Sequence, residues 1–294
     1  MAKRIFLFFA VNLLVMVTIS TLLSVLGVTT GFSAQGINYE SLMIFCLIWG
    51  MGGSIISLLI SRIMAKMMMG VQVIPENTND PELRWLLQTV HRMAKSSGIT
   101  TMPQVGIYEN PEVNAFATGP TKNRSLVACS TGLLRRMNKD QVEGVIGHEV
   151  AHISNGDMVT LTLIQGIVNA FAMFLSRIAA WALSQNVREE SRHTVYFITS
   201  MVLDILLTFL GMIVVAYFSR LREFRADAGG SRFAGRDKMI GALRALKGTT
   251  EAVDDEHPAL ASLKISGRGG FMRLFSTHPP LEERLARLES GRAL

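Results

Sequence analysis

The sequence predicts a mainly α-helical integral membrane protein that combines four transmembrane helices with a soluble α+β part. Apolar residues make up 49% of the 294 residues and charged residues only 18%, and the mean hydropathy is +0.32. The apolar residues are concentrated in four long runs, and about 20 such residues are enough for a membrane span. The intervening stretches show the helical and alternating patterns of a folded soluble domain.

The first two runs make up the predicted amino-terminal membrane part, residues 1–66. Residues 5–28 contain no charge. This run is longer than the core of a signal peptide, so we interpret it as a span and not as a cleaved leader. The second run, residues 42–61, carries small residues such as Gly50 and Gly53, which let helices pack closely.

Basic residues indicate the orientation of these spans. Lys3 and Arg4 precede the first run and Arg62 and Lys66 follow the second, whereas the connection between them has neither Lys nor Arg. Loops rich in Lys and Arg stay in the cytoplasm, so the amino terminus and the soluble part are predicted to be cytoplasmic. The same clustering explains the net charge of +6. The lipid bilayer is therefore a predicted partner, and nucleic acid is not.

Residues 67–157 are predicted to be the first part of the soluble domain. Apolar residues at helical spacing predict a helix over residues 80–98, and alternating segments between residues 104 and 134 predict short strands. The following helix begins at Asn138, which can cap it, with Gln141 in the capping-box position. Asn-Gly after this helix is a suitable end for it.

Two further apolar runs predict a transmembrane hairpin over residues 158–218. An even number of spans returns the chain to the cytoplasm, where residues 219–294 complete the soluble domain. Helices are predicted there at about 221–246 and 280–289.

Arg177 and Asp204 are charges inside the predicted hairpin, where charged side chains are costly and usually paired or functional. Their depths, about 10 and 14 Å by helical rise, are close enough for a salt bridge across the hairpin. Snorkelling of the arginine to the interface is the alternative, and the sequence leaves both open.

The segment His148-Glu149-Val150-Ala151-His152 carries the candidate chemistry. Two imidazoles four residues apart share one face of a helix and can hold one metal ion, with Glu149 beside them. Zinc suits imidazole ligands and keeps one position open for water in catalytic sites, and it lowers the pKa of that water to about 7. Glu149 can then take up the proton and pass it to the leaving amine. The alternative is three polar residues on an ordinary helix.

A third protein ligand is expected on a later helix. The longer pattern HExxHxxGxxH is excluded, because Asn155 and Met158 occupy its last two positions. Glu223 and Asp227 are four residues apart and share a helix face. We predict that Glu223 is the ligand and that Asp227 accepts the ring N–H of a ligating histidine. The alternative is a solvated face whose carboxylates pair with neighbouring arginines.

Two other segments are candidates for handling the substrate. His278 lies in Thr-His-Pro-Pro, where it either stabilises the oxyanion of the reaction or belongs to a stiff turn before a helix. The segment Asn114, Ala115, Phe116 and Ala117 either pairs as an edge strand with an extended substrate or is an ordinary sheet strand.

Four motifs together resemble one known family: HEVAHISNGD, the later EFRAD, NAFATG and THPP. They are similar to those of the HtpX family, membrane zinc metalloproteases of the heat-shock response that are related to the CAAX prenyl proteases. The resemblance covers essentially the whole chain, including the four-span layout. The combination is specific, whereas THPP or NAFATG alone is weak.

The resemblance implies that His148, His152 and Glu223 bind one zinc ion per chain and that Glu149 is catalytic. It implies a gluzincin-like catalytic domain and ATP-independent endoproteolysis of misfolded or damaged membrane proteins, at the cytoplasmic face of the bacterial inner membrane. It also favours a functional role for His278. The alternative is a non-enzymatic zinc-binding module of membrane quality control, but such a module needs no base at Glu149.

Overall fold

The computed structural model describes residues 2–33, 36–256 and 272–291. Its chain divides into two compact units, each made of two segments. The first unit comprises Met1–Leu58 and Leu161–Val215, and the second comprises Leu59–Thr160 and Ala216–Leu294.

Helices and strands are numbered in chain order within the described residues. The helices are α1 (Ala2–Val25), α2 (Tyr39–Met69), α3 (Pro81–Ser96), α4 (Thr131–Arg136), α5 (Lys139–Asn155), α6 (Asp157–Ser184), α7 (Glu189–Ala234), α8 (Arg236–Glu256) and α9 (Leu281–Glu289). The strands are β1 (Phe32–Ser33), β2 (Gly36–Ile37), β3 (Gln72–Val73), β4 (Gln104–Tyr108), β5 (Ala115–Thr121) and β6 (Arg124–Ser130).

Three helices of the described chain, α2, α6 and α7, are long and apolar enough to cross a membrane. They correspond to the second, third and fourth predicted spans. The apolar stretch that the structure describes in α1 is shorter, Leu13–Val25. The first of the four predicted spans therefore stays a prediction.

Small residues and one ion pair hold the helices of the first unit together. Gly50 of α2 lies so close to Ala170 of α6 that a Cβ on this glycine would come within 2.5 Å of the Ala170 backbone nitrogen. Arg177 of α6 places Nη1 3.2 Å from Oδ2 of Asp204 on α7. The hydroxyl of Ser176 donates to the other carboxylate oxygen. The two charges therefore pair across the hairpin.

The second unit contains a four-stranded sheet in the order β3-β4-β6-β5. Strands β4 and β6 are parallel, and the other two pairings are antiparallel, so β5 is an edge strand. Helices α3 and α5 pack their apolar faces on this sheet. The core between them includes Val90 and Met93 of α3, Val105, Val127 and Cys129 of the sheet, and Ile146 and Val150 of α5.

Both ends of α5 are fixed locally, as the sequence predicts. Asn138 and Gln141 form a complete capping box at the start, and Gly156 ends the helix in the left-handed conformation with φ 72°. Glycine adopts this conformation without the steric cost that a Cβ brings.

The end of α7 differs from the prediction. A helix had been expected at residues 221–246, but α7 runs without interruption from Glu189 to Ala234, and α8 begins at Arg236. The break falls at Gly235, whose φ is 105°, a backbone conformation that glycine adopts without the steric cost of a Cβ. Helix α9 matches the predicted helix at 280–289 within one residue.

Candidate metal centre and active site

Two imidazoles of α5 meet in the interior of the second unit. His148 and His152 lie one helical turn apart, and their Nε2 atoms are 3.1 Å from each other. Both residues are buried. The two nitrogens therefore point to one place.

Glu223 of α7 completes the group. Its Oε1 lies 3.3 Å from Nε2 of His152 and its Oε2 lies 3.4 Å from Nε2 of His148. The three side chains each offer one ligand atom, and these atoms all lie within 4.8 Å of one another. This arrangement brings together the three residues that the sequence predicts as metal ligands.

The environment of the Glu223 carboxylate indicates that a cation fits between these three residues. The residue is fully buried, yet neither oxygen accepts a hydrogen bond of good geometry, although Nδ1 of His278 is 2.9 Å from Oε2. A buried carboxylate without hydrogen bonds is unfavourable unless it is paired or coordinates a metal. Two imidazoles and one carboxylate are a donor set that zinc prefers, so the residues fit this metal.

Two further carboxylates contact the histidine ring nitrogens that face away from the centre. Oδ1 of Asp227 lies 2.9 Å from Nδ1 of His148, and Oδ2 of Asp157 lies 2.7 Å from Nδ1 of His152. A carboxylate acceptor favours the tautomer in which Nδ1 donates its proton, and this leaves Nε2 free to bind a metal. Asp227 is the residue that the sequence predicts for this place, whereas Asp157 is not among the predicted site residues.

The turn at Gly156 explains why Asp157 was missed. Its left-handed conformation ends α5, and Asp157, the next residue, contacts a side chain five residues earlier. The available signal was an acidic residue directly after the predicted Asn-Gly helix end.

Arg284 is a second residue that sequence reasoning missed. It lies on α9 and is buried. Its Nε and Nη2 donate to the two carboxylate oxygens of Asp227 at 2.8 and 2.6 Å, and its Nη1 lies 3.6 Å from Oε2 of Glu223. The contact spans 57 residues of sequence, and α9 alone shows only the pattern of an amphipathic helix.

The surrounding carboxylates favour positive charge at this centre. Burial alone would lower the pKa of His152, but Asp157 and Glu223 outweigh it and raise the pKa to about 9. Burial acts in the same direction on His148, and Asp227 and Glu223 again raise its pKa above the ordinary value. A bound cation satisfies the same preference for positive charge.

The centre opens into a cleft of about 150 Å³. Glu149 and His278 line it, and the side chain of His278 is 63% exposed. Asn114 and Ala115, at the start of the edge strand β5, also line the cleft. The remaining lining is largely apolar: Val113, Leu133, Val145, Met239, Ala242, Leu243 and Leu246.

The side chains of the predicted substrate segment also pack within the unit. Phe116 packs on the ring of Tyr108 at 5.5 Å between centroids, and Ala115 and Ala117 both pack against the main core of the unit. Of the four residues, Asn114 and Ala115 line the cleft, and the pairing of this edge strand with a substrate stays a prediction.

Comparison with known proteins gives the family of this site. The model of peptidase family M48 matches residues 81–292, which include every residue of the centre described above. This chain belongs to peptidase family M48.

Relatives across the family match the full length of the chain. A protease HtpX homolog of Bacillus licheniformis is 53% identical over 99% of this chain and 100% of its own length. One of Methylacidiphilum infernorum is 48% identical over 98% and 99%. The M48 chain is therefore a membrane metalloprotease of the HtpX type, and the resemblance drawn from its motifs is confirmed.

A solved structure supports the fold. The crystal structure of S. mikatae Ste24p superposes with a TM-score of 0.64 at 16% identity. The match covers 98% of this M48 chain and 64% of the longer Ste24p chain. The likeness extends to the mainly helical fold with its small sheet.

Proposed function

We propose that this chain is a zinc endopeptidase that hydrolyses peptide bonds of misfolded or damaged membrane proteins. Reaction takes place at the cytoplasmic face of the bacterial inner membrane, with both termini of the chain in the cytoplasm. The observation that carries the proposal is the convergence of His148, His152 and Glu223 at a cleft that Glu149 also lines.

The three converging residues hold one zinc ion per chain. When bound, zinc supplies a Lewis acid that polarises the substrate carbonyl and makes water acidic near neutral pH. Asp157 and Asp227 fix the orientation of the imidazoles, because each accepts a hydrogen bond from the ring N–H that faces away from the centre.

Glu149 moves the proton. It follows His148 on α5 and lines the cleft, so its carboxylate takes up the proton of the attacking water and delivers it to the leaving amine. His278, across the cleft, donates a hydrogen bond to the carbonyl oxygen as negative charge develops there.

The cleft binds an extended polypeptide. Strand β5 is an edge of the sheet, and Asn114 and Ala115 lead from it into the cleft, so a substrate strand can add to this edge through backbone hydrogen bonds. The apolar wall beside Glu149 accommodates an apolar side chain next to the cleaved bond. Such segments become accessible when membrane proteins misfold.

One experiment separates this function from that of a non-enzymatic binding module. Purified protein with zinc is incubated with an unfolded membrane protein, alongside Glu149→Gln. The proposal expects cleavage by the wild type and a loss of at least about a hundredfold in the variant. Asp140→Asn makes the same change of carboxylate to amide at an exposed position of α5 and should cleave normally. Equal behaviour of wild type and Glu149→Gln would contradict the enzyme.

A further inference from the structure

Arg220 of α7 holds the backbone that precedes His278. Its Nη1 lies 3.3, 3.2 and 2.7 Å from the carbonyl oxygens of Arg273, Leu274 and Ser276. These carbonyls lie at and just after the end of a short 3₁₀ turn, Met272–Phe275. The carbonyl of Arg273 also accepts from the N–H of Ser276 at 3.4 Å. Carbonyls at the end of a helical turn attract a cation, so the guanidinium fits this position.

The backbone between this turn and α9 is fixed at further points. The hydroxyl of Ser276 donates to the carbonyl of His278 at 2.6 Å. Pro279 is buried, and two consecutive prolines restrict the chain before α9 begins at Leu281. His278 thus lies midway between the carbonyls that Arg220 holds and a helix that is itself anchored.

A single face of α7 provides the anchors on both sides of His278. Arg220, Glu223 and Asp227 follow one another at spacings of three and four residues, which places them on successive turns of one face. Arg220 binds the backbone before His278, and Asp227 binds Arg284 after it. Glu223 lies between them, with Oε2 2.9 Å from Nδ1 of His278.

The exposure of His278 makes its backbone anchor important. The side chain is 63% exposed, so burial contributes little to fixing the imidazole in place. A displacement of about 1 Å in a catalytic group can reduce the rate by as much as a hundredfold. The position of the imidazole then depends on where the preceding backbone is held.

We propose that Arg220 is a positioning residue, which sets the imidazole of His278 at the cleft by holding the carbonyls of residues 273–276. The proposal rests on the proposed peptidase function and on the part that His278 plays in it. It adds a residue that contacts neither the metal ligands nor the cleft.

The test compares Arg220→Ala with Arg220→Lys and with Arg225→Ala. Arg225 is an exposed arginine of the same helix, so its variant removes the same charge as a matched control. Each variant is characterised by kcat and KM on an unfolded membrane substrate and by bound zinc. Hydrogen exchange of the peptide covering residues 272–280 is measured in the metal-free protein.

Arg220→Ala should lower kcat about tenfold with little change in KM, because the imidazole is misplaced and substrate binding is not. Zinc content should stay as in the wild type, exchange at residues 276–278 should accelerate, and Arg220→Lys should recover part of kcat. Arg225→Ala should match the wild type. In a His278→Ala background, Arg220→Ala should cause no further loss, since the group it positions is gone.

Several results would overturn the proposal. One is a normal kcat in Arg220→Ala or in His278→Ala. Another is hydrogen exchange at residues 276–278 that Arg220→Ala leaves unchanged. A third is a loss of kcat from Arg220→Ala that is as large in the His278→Ala protein as in the wild type. Failure of the proposed function itself looks different, because wild type and Glu149→Gln would then cleave alike. The exchange measurement needs no turnover and still reports whether Arg220 orders this segment.

Discussion

Oδ2 of Asp157 lies 2.7 Å from Nδ1 of His152 although the two residues belong to different helices. The left-handed turn at Gly156, between α5 and α6, brings them together. Gly156 therefore ends the helix that carries both imidazoles, and it also lets the carboxylate of Asp157 reach the imidazole of His152.

Asp157→Asn should weaken zinc binding by about ten- to a hundredfold, because an amide orients the ring of His152 less strongly than a carboxylate and lowers its basicity. Competition with a chelating dye measures the affinity. Asparagine remains a good helix-start residue, so the thermal stability of the metal-free protein should change little. An unchanged zinc affinity would show that Asp157 serves α6 alone.

Removal of the metal should both inactivate the protein and destabilise its second unit. The buried carboxylate of Glu223 then loses the cation that compensates its desolvation. A ligand present at 100 times its Kd stabilises by about 2.7 kcal/mol, and this should appear as a lower Tm after chelation that zinc restores. Glu149→Gln should show the same shift, since Glu149 is not a ligand. A Tm that does not respond to zinc would contradict the site.

Arg284→Met should destabilise the protein by about 3–5 kcal/mol, because it leaves Asp227 as a buried charge without its bidentate partner. Urea unfolding at constant zinc measures the difference. The double variant Arg284→Met with Asp227→Asn should regain part of this loss, since the unpaired charge is removed. Arg244→Met is the control, because Arg244 pairs with Glu289 at an exposed site and should cost about 1 kcal/mol or less. Equal losses in both arginine variants would argue against a special role for the buried pair.

The ion pair between Arg177 and Asp204 can be tested by exchanging its charges. Arg177→Asp and Asp204→Arg should each lower thermal stability in detergent, because each places like charges side by side in an apolar bundle. The double exchange restores opposite charges and should recover much of the loss. Failure to recover would mean that the pairing contributes little, and that each residue matters through other contacts, such as that of Ser176 with Asp204.

The parts of the fold that the sequence predicted are those encoded over short distances. Asn138, Gln141 and Gly156 fix α5 through hydrogen bonds and backbone preferences within a few residues. The apolar runs predict α2, α6 and α7 because a span is defined by its own composition. Residues 221–234 are helical as predicted, but they continue the fourth apolar helix, and the predicted helix is divided at Gly235.

In the candidate site, too, the sequence predicted the relationships within one helix and missed some of those between distant segments. Spacing of four residues placed His148 beside His152, and Glu223 beside Asp227, because one helical turn relates each pair. Arg284 gave no such signal, since its contact with Asp227 arises only from the packing of α9 against α7.

The sequence by itself determined the chemical types at the site: two imidazoles, a neighbouring carboxylate, and a second acidic pair on a later helix. It did so because residue identity and helical spacing are local properties. Only the tertiary structure decided that Glu223 meets the imidazoles, that Asp157 turns back to His152, and that Arg220 and Arg284 hold the segment around His278. These relationships join residues far apart in the chain or on either side of a helix break, and their distances are set by how the whole core packs.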